Sequence, residues 1–217
     1  AFDENCINTF EGNCGIELTV RLLSRLYPRL KIIDLSGKFE DKVNDYCMLA
    51  KKINSLIEIV DISTAEDILI VIGDSKKEIA SDGLKIYFGS DNWIAKYSLD
   101  LMQKFGDSNN PFGVGLSACI VASNVFRHIF KENLRFNDLD TSFELSAFSL
   151  DTNINIKNNP CINDVELKDV VIAGIGAIGN GVIWALSKIE TLKGNIHLVD
   201  EEEVSLSNLQ RYILLEE

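Results

Sequence analysis

Long apolar runs, basic charge and paired cysteines are what this sequence has little of. The nearest approach to the roughly 18 apolar residues of a membrane span is 114–129. Ser117, Ser123, Asn124, Arg127 and His128 interrupt it, so no membrane partner is expected. The start, "AFDENCINTFEGNCG", has no basic region leading into an apolar core, and no signal peptide is expected. Basic residues number 21 against 33 acidic ones, a formal net charge of −12. That balance argues against a nucleic-acid partner, because phosphate backbones are bound by Lys and Arg. Acidity of this kind serves solubility; a basic protein surface or a small anion held in a local site stays compatible with it. The five cysteines, odd in number, include no C-x-x-C pair, which fits a reduced, cytoplasmic compartment with most thiols buried as small apolar groups. Histidine is scarce as well. His128 and His197 stand alone, and His197, inside an apolar run, is expected to be a packed side chain rather than a base.

What is present is an alternation of short β-rich runs with longer helical ones. "LKIIDL" (30–35), "LIEIV" (56–60), "ILIVIG" (68–73), "LKIYFG" (84–89) and "TSFELSAFSL" (141–150) read as strands. Segments 15–26, 41–54 and 111–132 read as helices. In the first, Leu18, Leu22 and Leu26 recur four apart. In the last, Leu116, Ile120, Val125 and Ile129 form the expected packing face, and Pro111 sits near the start, where its missing N–H costs little. Strands alternating with helices predict an α/β fold: a Rossmann-like parallel or mixed sheet with flanking helices over 1–150. The polar, Asn-rich stretch 151–164 is the expected linker. A second unit of the same type opens at 165.

That second unit carries the chemistry. The apolar strand "DVVIA" (169–173) runs into Gly174-x-Gly176-x-x-Gly179, then a helix, then "NIHLVD" ending in Asp200. In this setting Gly174 permits the tight turn, Gly176 lets backbone approach a phosphate, and Gly179 lets the helix pack close to the sheet. The helix start offers N–H groups to an anion, and a carboxylate at Asp200 suits ribose hydroxyls. This much specifies a nucleotide and leaves the reaction open. "SNLQR" adds more: Asn208 and Arg211, three apart on a short helix capped by Ser205 or Ser207, put an amide beside a guanidinium fork. A hydride-transfer enzyme using NAD has no need of that pair. A triphosphate attacked at phosphorus does, because charge must be stabilised as pyrophosphate leaves.

The run "GIGAIG…VDEEEVSLSNLQRYIL" resembles the nucleotide-binding segment of the ThiF/MoeB/HesA family, the bacterial relatives of ubiquitin-activating (E1) enzymes. Such enzymes use ATP and magnesium to convert a C-terminal carboxylate into an acyl-adenylate. By position, the resemblance implies that Asp200 holds the ribose, Gly174, Gly176 and Gly179 shape the phosphate loop, and Asn208, Gln210 and Arg211 meet the phosphates, with Asn208 and Arg211 acting in catalysis. It implies as partner a ubiquitin-like or sulfur-carrier protein, or a peptide, with a free C-terminus, and it is compatible with a homodimer. Glu202 departs from the second Asp that many members carry. The family's lysine and magnesium-binding aspartate are expected beyond Glu217, so 165–217 is expected to be an incomplete adenylation unit, inactive alone and with an open strand edge.

Residues 11–35 echo 174–200, with Gly12, Gly15 and Asp34 opposite Gly176, Gly179 and Asp200, and "NPFGVGLSACIVASNVFRHIF" (110–130) is similar to a late helix of the same family. Residues 1–150 are therefore expected to be a degenerate E1-like repeat that does not bind ATP in the family manner. Two other readings stand beside adenylation: a scaffold that presents the first half to a partner protein, and an NAD-dependent oxidoreductase resting on the glycine loop alone.

Overall fold

The computed structural model describes residues 1–60, 68–75, 77, 79–152 and 159–217. Helix α1 (Glu4–Ile7) starts where the Asp3 carboxylate accepts the Glu4 N–H at 2.7 Å. Helix α2 (Phe10–Leu26) starts at Thr9, whose hydroxyl accepts the Gly12 N–H at 3.0 Å. Such caps satisfy amides that a helix start leaves without intrahelical partners. Strand β1 (Arg29–Leu30), helix α3 (Glu40–Ile53) and strand β2 (Glu58–Ile59) follow, with β1 and β2 paired in parallel. The expected strands at 30–35 and 56–60 are thus two-residue pairings. Beyond β1 the chain is held by Phe2, which bridges to Asp34 and to Ile72.

The main sheet has the order β3–β4–β5–β6, with β3 (Ile68–Ile72) parallel to β4 (Leu84–Asp91) and β4, β5 (Ile94–Ser98) and β6 (Phe143–Ser146) antiparallel. It is therefore mixed, and it contains a hairpin at Asp91–Ile94 that the apolar pattern did not reveal. Asn92 turns it at φ +58°, a conformation Asn tolerates better than most residues. The remainder of 141–150 past Ser146 folds into a turn.

Helix α4 (Pro111–Ile129) crosses this sheet. By length and composition it could span a bilayer, yet its buried stripe makes it the core helix of the first half. That stripe is Val114, Ser117, Ala118, Val121, Asn124 and Val125, not the expected Leu116, Ile120 and Ile129, the last of which is 45% exposed. Small residues explain the rotation. A Cβ at Gly113 would sit 2.4 Å from the Asn92 carbonyl oxygen, and the Ser117 hydroxyl donates to the Gly89 carbonyl at 2.7 Å while accepting the Lys96 N–H at 3.1 Å. The helix lies where it can approach the backbone of the sheet most closely. In α2 likewise Leu18 is buried but Leu26 is exposed.

The second half is a strand–helix–strand unit: β7 (Glu166–Ala173), α5 (Ala177–Ser187) and β8 (Lys193–Val199), the strands parallel. This is the Rossmann-like βαβ arrangement expected from the sequence. Of the expected linker, 153–158 lies outside the described residues. Among the described residues β8 pairs with β7 alone, and Val171, Leu198 and Val199 are exposed. For the same reason His197 is a surface residue, 4.0 Å from Asp169. It is not a packed side chain, because no element covers that sheet face among the described residues. The halves meet where Trp184 of α5, 3% exposed, lies on α4: a Cβ at Gly115 would be 2.9 Å from the indole.

Candidate functional site

The glycine loop joins β7 to α5. Gly174 turns at φ +89°, and its N–H donates to the Val199 carbonyl at 2.8 Å, so the loop leaves β7 still tied to β8. Gly176 is the N-cap of α5, and no side chain caps that helix. Its first amides are left for an outside acceptor. A Cβ at Gly179 would be 2.3 Å from the Gly174 carbonyl oxygen; only glycine lets the helix start fold back onto its own loop. At Gly176 the nearest atom to a Cβ would be the Tyr212 hydroxyl at 3.7 Å, so the space there is open on the side a ligand would approach.

Asp200 is brought back onto this loop. Its Oδ2 accepts the Ile175 N–H at 2.5 Å and its Oδ1 the Glu202 N–H at 2.9 Å. Backbone N–H groups of Glu202, Ile175 and Glu201 hold the carboxyl below the ordinary aspartate range. It is therefore an ionised acceptor, with a lone pair left on each oxygen for hydroxyl donors.

The SNLQR turn is a short 3₁₀ helix (Leu206–Asn208) with a capping box. Here the structure differs from the expected side-by-side pair. Asn208 is buried, and its side-chain oxygen accepts the Ser205 N–H at 2.7 Å and lies 3.0 Å from the Ser205 hydroxyl. Arg211 is exposed, donates to the Ser207 carbonyl at 3.2 Å and sits over the Tyr212 ring, 5.2 Å from its centroid. Gln210 is exposed.

Sequence reasoning missed the residues that hold these parts together. Asn180, in α5, donates through Nδ2 to the carbonyls of Ile175 (2.6 Å) and Gly176 (3.2 Å) and accepts the Leu214 N–H at 3.3 Å. The Tyr212 hydroxyl lies beside Gly176 of the loop. From α2, Arg25 donates to the Tyr212 carbonyl through Nε (3.2 Å) and Nη2 (2.8 Å) and to the Leu215 carbonyl at 2.7 Å. Arg21 donates to the Ile213 carbonyl at 3.2 Å. Glu17 pairs with Arg21 at 2.8 Å and with Lys188 at the end of α5. Burial, with the neighbouring Arg21 charge, pulls the Arg25 guanidinium down to about 10. The signal in the sequence was the spacing Glu17, Arg21, Arg25, which puts three charges on one helix face.

The echo between the halves does not extend to geometry. Gly12 and Gly15 lie inside α2, whereas Gly176 caps α5. Asp34 spends its carboxylate on its own turn, accepting the N–H groups of Ser36, Lys38 and Phe39 at 2.9, 2.7 and 2.7 Å. It does not reach back to a glycine loop. A groove of about 670 Å³ lies between α2, β1, β3 and α4, but none of the glycine-loop or SNLQR residues lines it. Among the described residues no three His, Cys, Asp or Glu side chains gather to hold a metal.

Comparison with known proteins matches residues 1–131 to the Prokaryotic E2 family C and residues 150–217 to the ThiF family. The chain is also similar to the uncharacterized protein y4jF of Sinorhizobium fredii (strain NBRC 101917 / NGR234), at 37% identity over 214 residues, 99% of this chain and 41% of that protein.

Proposed function

Because this chain belongs to the Prokaryotic E2 family C and continues into a ThiF-family segment, we propose that the protein is an E1-like adenylyltransferase. It uses ATP and magnesium to activate the C-terminal carboxylate of a ubiquitin-like or sulfur-carrier protein, or of a peptide, as an acyl-adenylate. One observation carries the reading: the ionised Asp200 is hydrogen-bonded into the glycine loop, and Arg211 lies over the ring of Tyr212, whose hydroxyl is beside Gly176 of the same loop. In this reading Asp200 is the ribose acceptor, the uncapped start of α5 takes phosphate, and Arg211 is the phosphate-binding cation.

Bound ATP supplies the electrophilic phosphorus and the pyrophosphate leaving group, with magnesium to neutralise its charge. The chain's own residues bind and orient. Asp200 accepts from the ribose hydroxyls. The amides at the start of α5 and the open backbone at Gly176 take phosphate oxygens. The Asn208 Nδ2 and the Arg211 fork, with Gln210 beside them, stabilise charge at the phosphate end.

The E2-family half supplies the protein-facing surface in this reading. Its Cys6 and Cys14 are not suited to carry an acyl group: both are buried, and burial pushes the Cys14 thiol up to about 12 and Cys6 further still. A scaffold role for this half is favoured by that burial over a covalent one through either thiol. The test is ATP–pyrophosphate exchange by the complete protein with a ubiquitin-like protein ending in a free carboxylate. Arg211→Ala is expected to abolish exchange; unchanged exchange would sink the site assignment. Titration with NADH separates the oxidoreductase reading, which requires a response to NADH and none to ATP.

A further inference from the structure

The segment that carries Arg211 cannot hold itself in place. From Ser205 to Glu217 its regular structure is the single turn Leu206–Asn208, and its internal bonds are short-range, such as the Tyr212 N–H to the Asn208 carbonyl at 2.9 Å. Its supports are α5, through Asn180, the end of α3, where the Glu217 N–H donates to the Lys52 carbonyl at 2.7 Å, and α2 of the other half, through Arg21 at Ile213 and, nearest to Tyr212, through Arg25. Arg25 is half-buried, and among the described residues its hydrogen bonds go to main-chain carbonyls: two to Tyr212, one to Leu215 and one to Arg21. A desolvated guanidinium held this way is costly to misplace, since each N–H turned away from its carbonyl would be left without an acceptor. It fixes the position of the Tyr212 main chain.

Tyr212 in turn passes that position on. Its ring lies under the Arg211 guanidinium and its hydroxyl lies beside Gly176. A shift of its carbonyl therefore moves the phosphate-binding cation relative to the phosphate loop. We infer that Arg25, on α2 of the E2-family half, is a positioning residue for the nucleotide site of the ThiF-family half, so that nucleotide affinity depends on how the two halves are docked. This rests on the site reading given above. Arg25 does not touch the nucleotide in this account; it acts through Tyr212.

The experiment measures binding of a fluorescent ATP analogue to the complete protein, and the KM for ATP in pyrophosphate exchange, at a temperature where every variant is folded by circular dichroism. Arg25→Met keeps the length of the side chain and removes all its donors. It is expected to weaken binding and raise the KM for ATP by about tenfold, within the usual range of coupling between sites, while leaving the KM for the carboxylate protein unchanged. Arg25→Lys keeps the charge but cannot reach both carbonyls, and should recover part of the loss. Arg29→Met, in β1 and paired with Glu58 at the surface, should change neither constant. If Arg25→Met does not fold, Arg25→Lys decides: wild-type nucleotide affinity in that variant overturns the inference. Wild-type affinity in both Arg25 variants, with affinity lost in Arg211→Ala, overturns the inference and leaves the site standing. Wild-type affinity in Arg211→Ala as well removes the site and the inference together.

Discussion

Replacing Trp184 tests whether the halves are packed as one body. The side chain is 3% exposed and lies over Gly115. A buried indole removes about 150–250 Å² from water, which at about 25 cal/mol per Å² is roughly 4–6 kcal/mol. Against this stands its Nε1–H, which is buried without a partner among the described residues, at a cost of about 1–3 kcal/mol. Trp184→Ala should therefore lower unfolding stability by about 3–4 kcal/mol, and a chain of this size should lose about 10 °C in Tm. Trp184→Phe keeps most of the ring area and discards the unpaired donor, so it should stay within about 1 kcal/mol of wild type. Urea and thermal unfolding followed by far-UV circular dichroism measure both. Trp93, the second of the two tryptophans, stacks on Phe112 at 4.9 Å and reports the first half by fluorescence. If Trp184→Ala leaves the midpoint within about 2 °C of wild type, α5 does not dock on α4 and the reasoning fails. A Phe variant as damaging as the Ala variant would refute the unpaired-donor argument alone.

Other consequences are open to measurement. Glu11, fully buried, accepts hydrogen bonds from the Ser90 hydroxyl, the Ser108 hydroxyl (2.6 Å) and the N–H groups of Asn92 (3.1 Å) and Ser108 (3.3 Å). Glu11→Gln can keep its oxygen on the two amides while the Ser90 hydroxyl turns to accept, costing about 1–2 kcal/mol; Glu11→Ala strands both amides and should cost about 4 kcal/mol by urea unfolding. Equal losses would contradict this arrangement. At Asp140, partial burial pushes the carboxyl up, but hydrogen bonds from Arg127 and Asn124 and the guanidinium charge outweigh it, leaving a net lowered pKa. The folded state then binds that proton more weakly than the unfolded one. The stability it adds is complete above the ordinary aspartate value of about 4 and is lost as pH falls through the lowered folded value. Asp140→Asn should flatten the fall of the urea midpoint over that acid window, and an unchanged slope would dismiss the contribution.

What could be read from the sequence was what depends on near neighbours. Strand, glycine turn, helix, strand and Asp200 follow one another within a short span, and the structure joins them by bonds such as Ile175 N–H to Asp200. The mixed sheet was half legible. β3 and β4 are continuous apolar runs, but "IAKYS" of β5 alternates over too few residues to stand out, and its turn signal was a lone Asp-Asn pair. The packing face of α4 was misjudged because large residues were weighed and small ones were not. Gly113 and Ser117 decide that face by how near they let the sheet come. Arg25 and Tyr212 could not be paired from the sequence at all: they lie far apart in the chain, and their contact uses a main-chain oxygen that no side-chain pattern announces.

That last contact has a consequence for how such chains can be recombined. A joint that grips carbonyl oxygens reads the path of the backbone at Ile213 and Leu215. A second half of different sequence whose chain follows the same route would meet the same donors from Arg21 and Arg25. Grafting one relative's second half onto another's first half then calls for matching a curve in space as well as side-chain contacts such as Trp184 on Gly115.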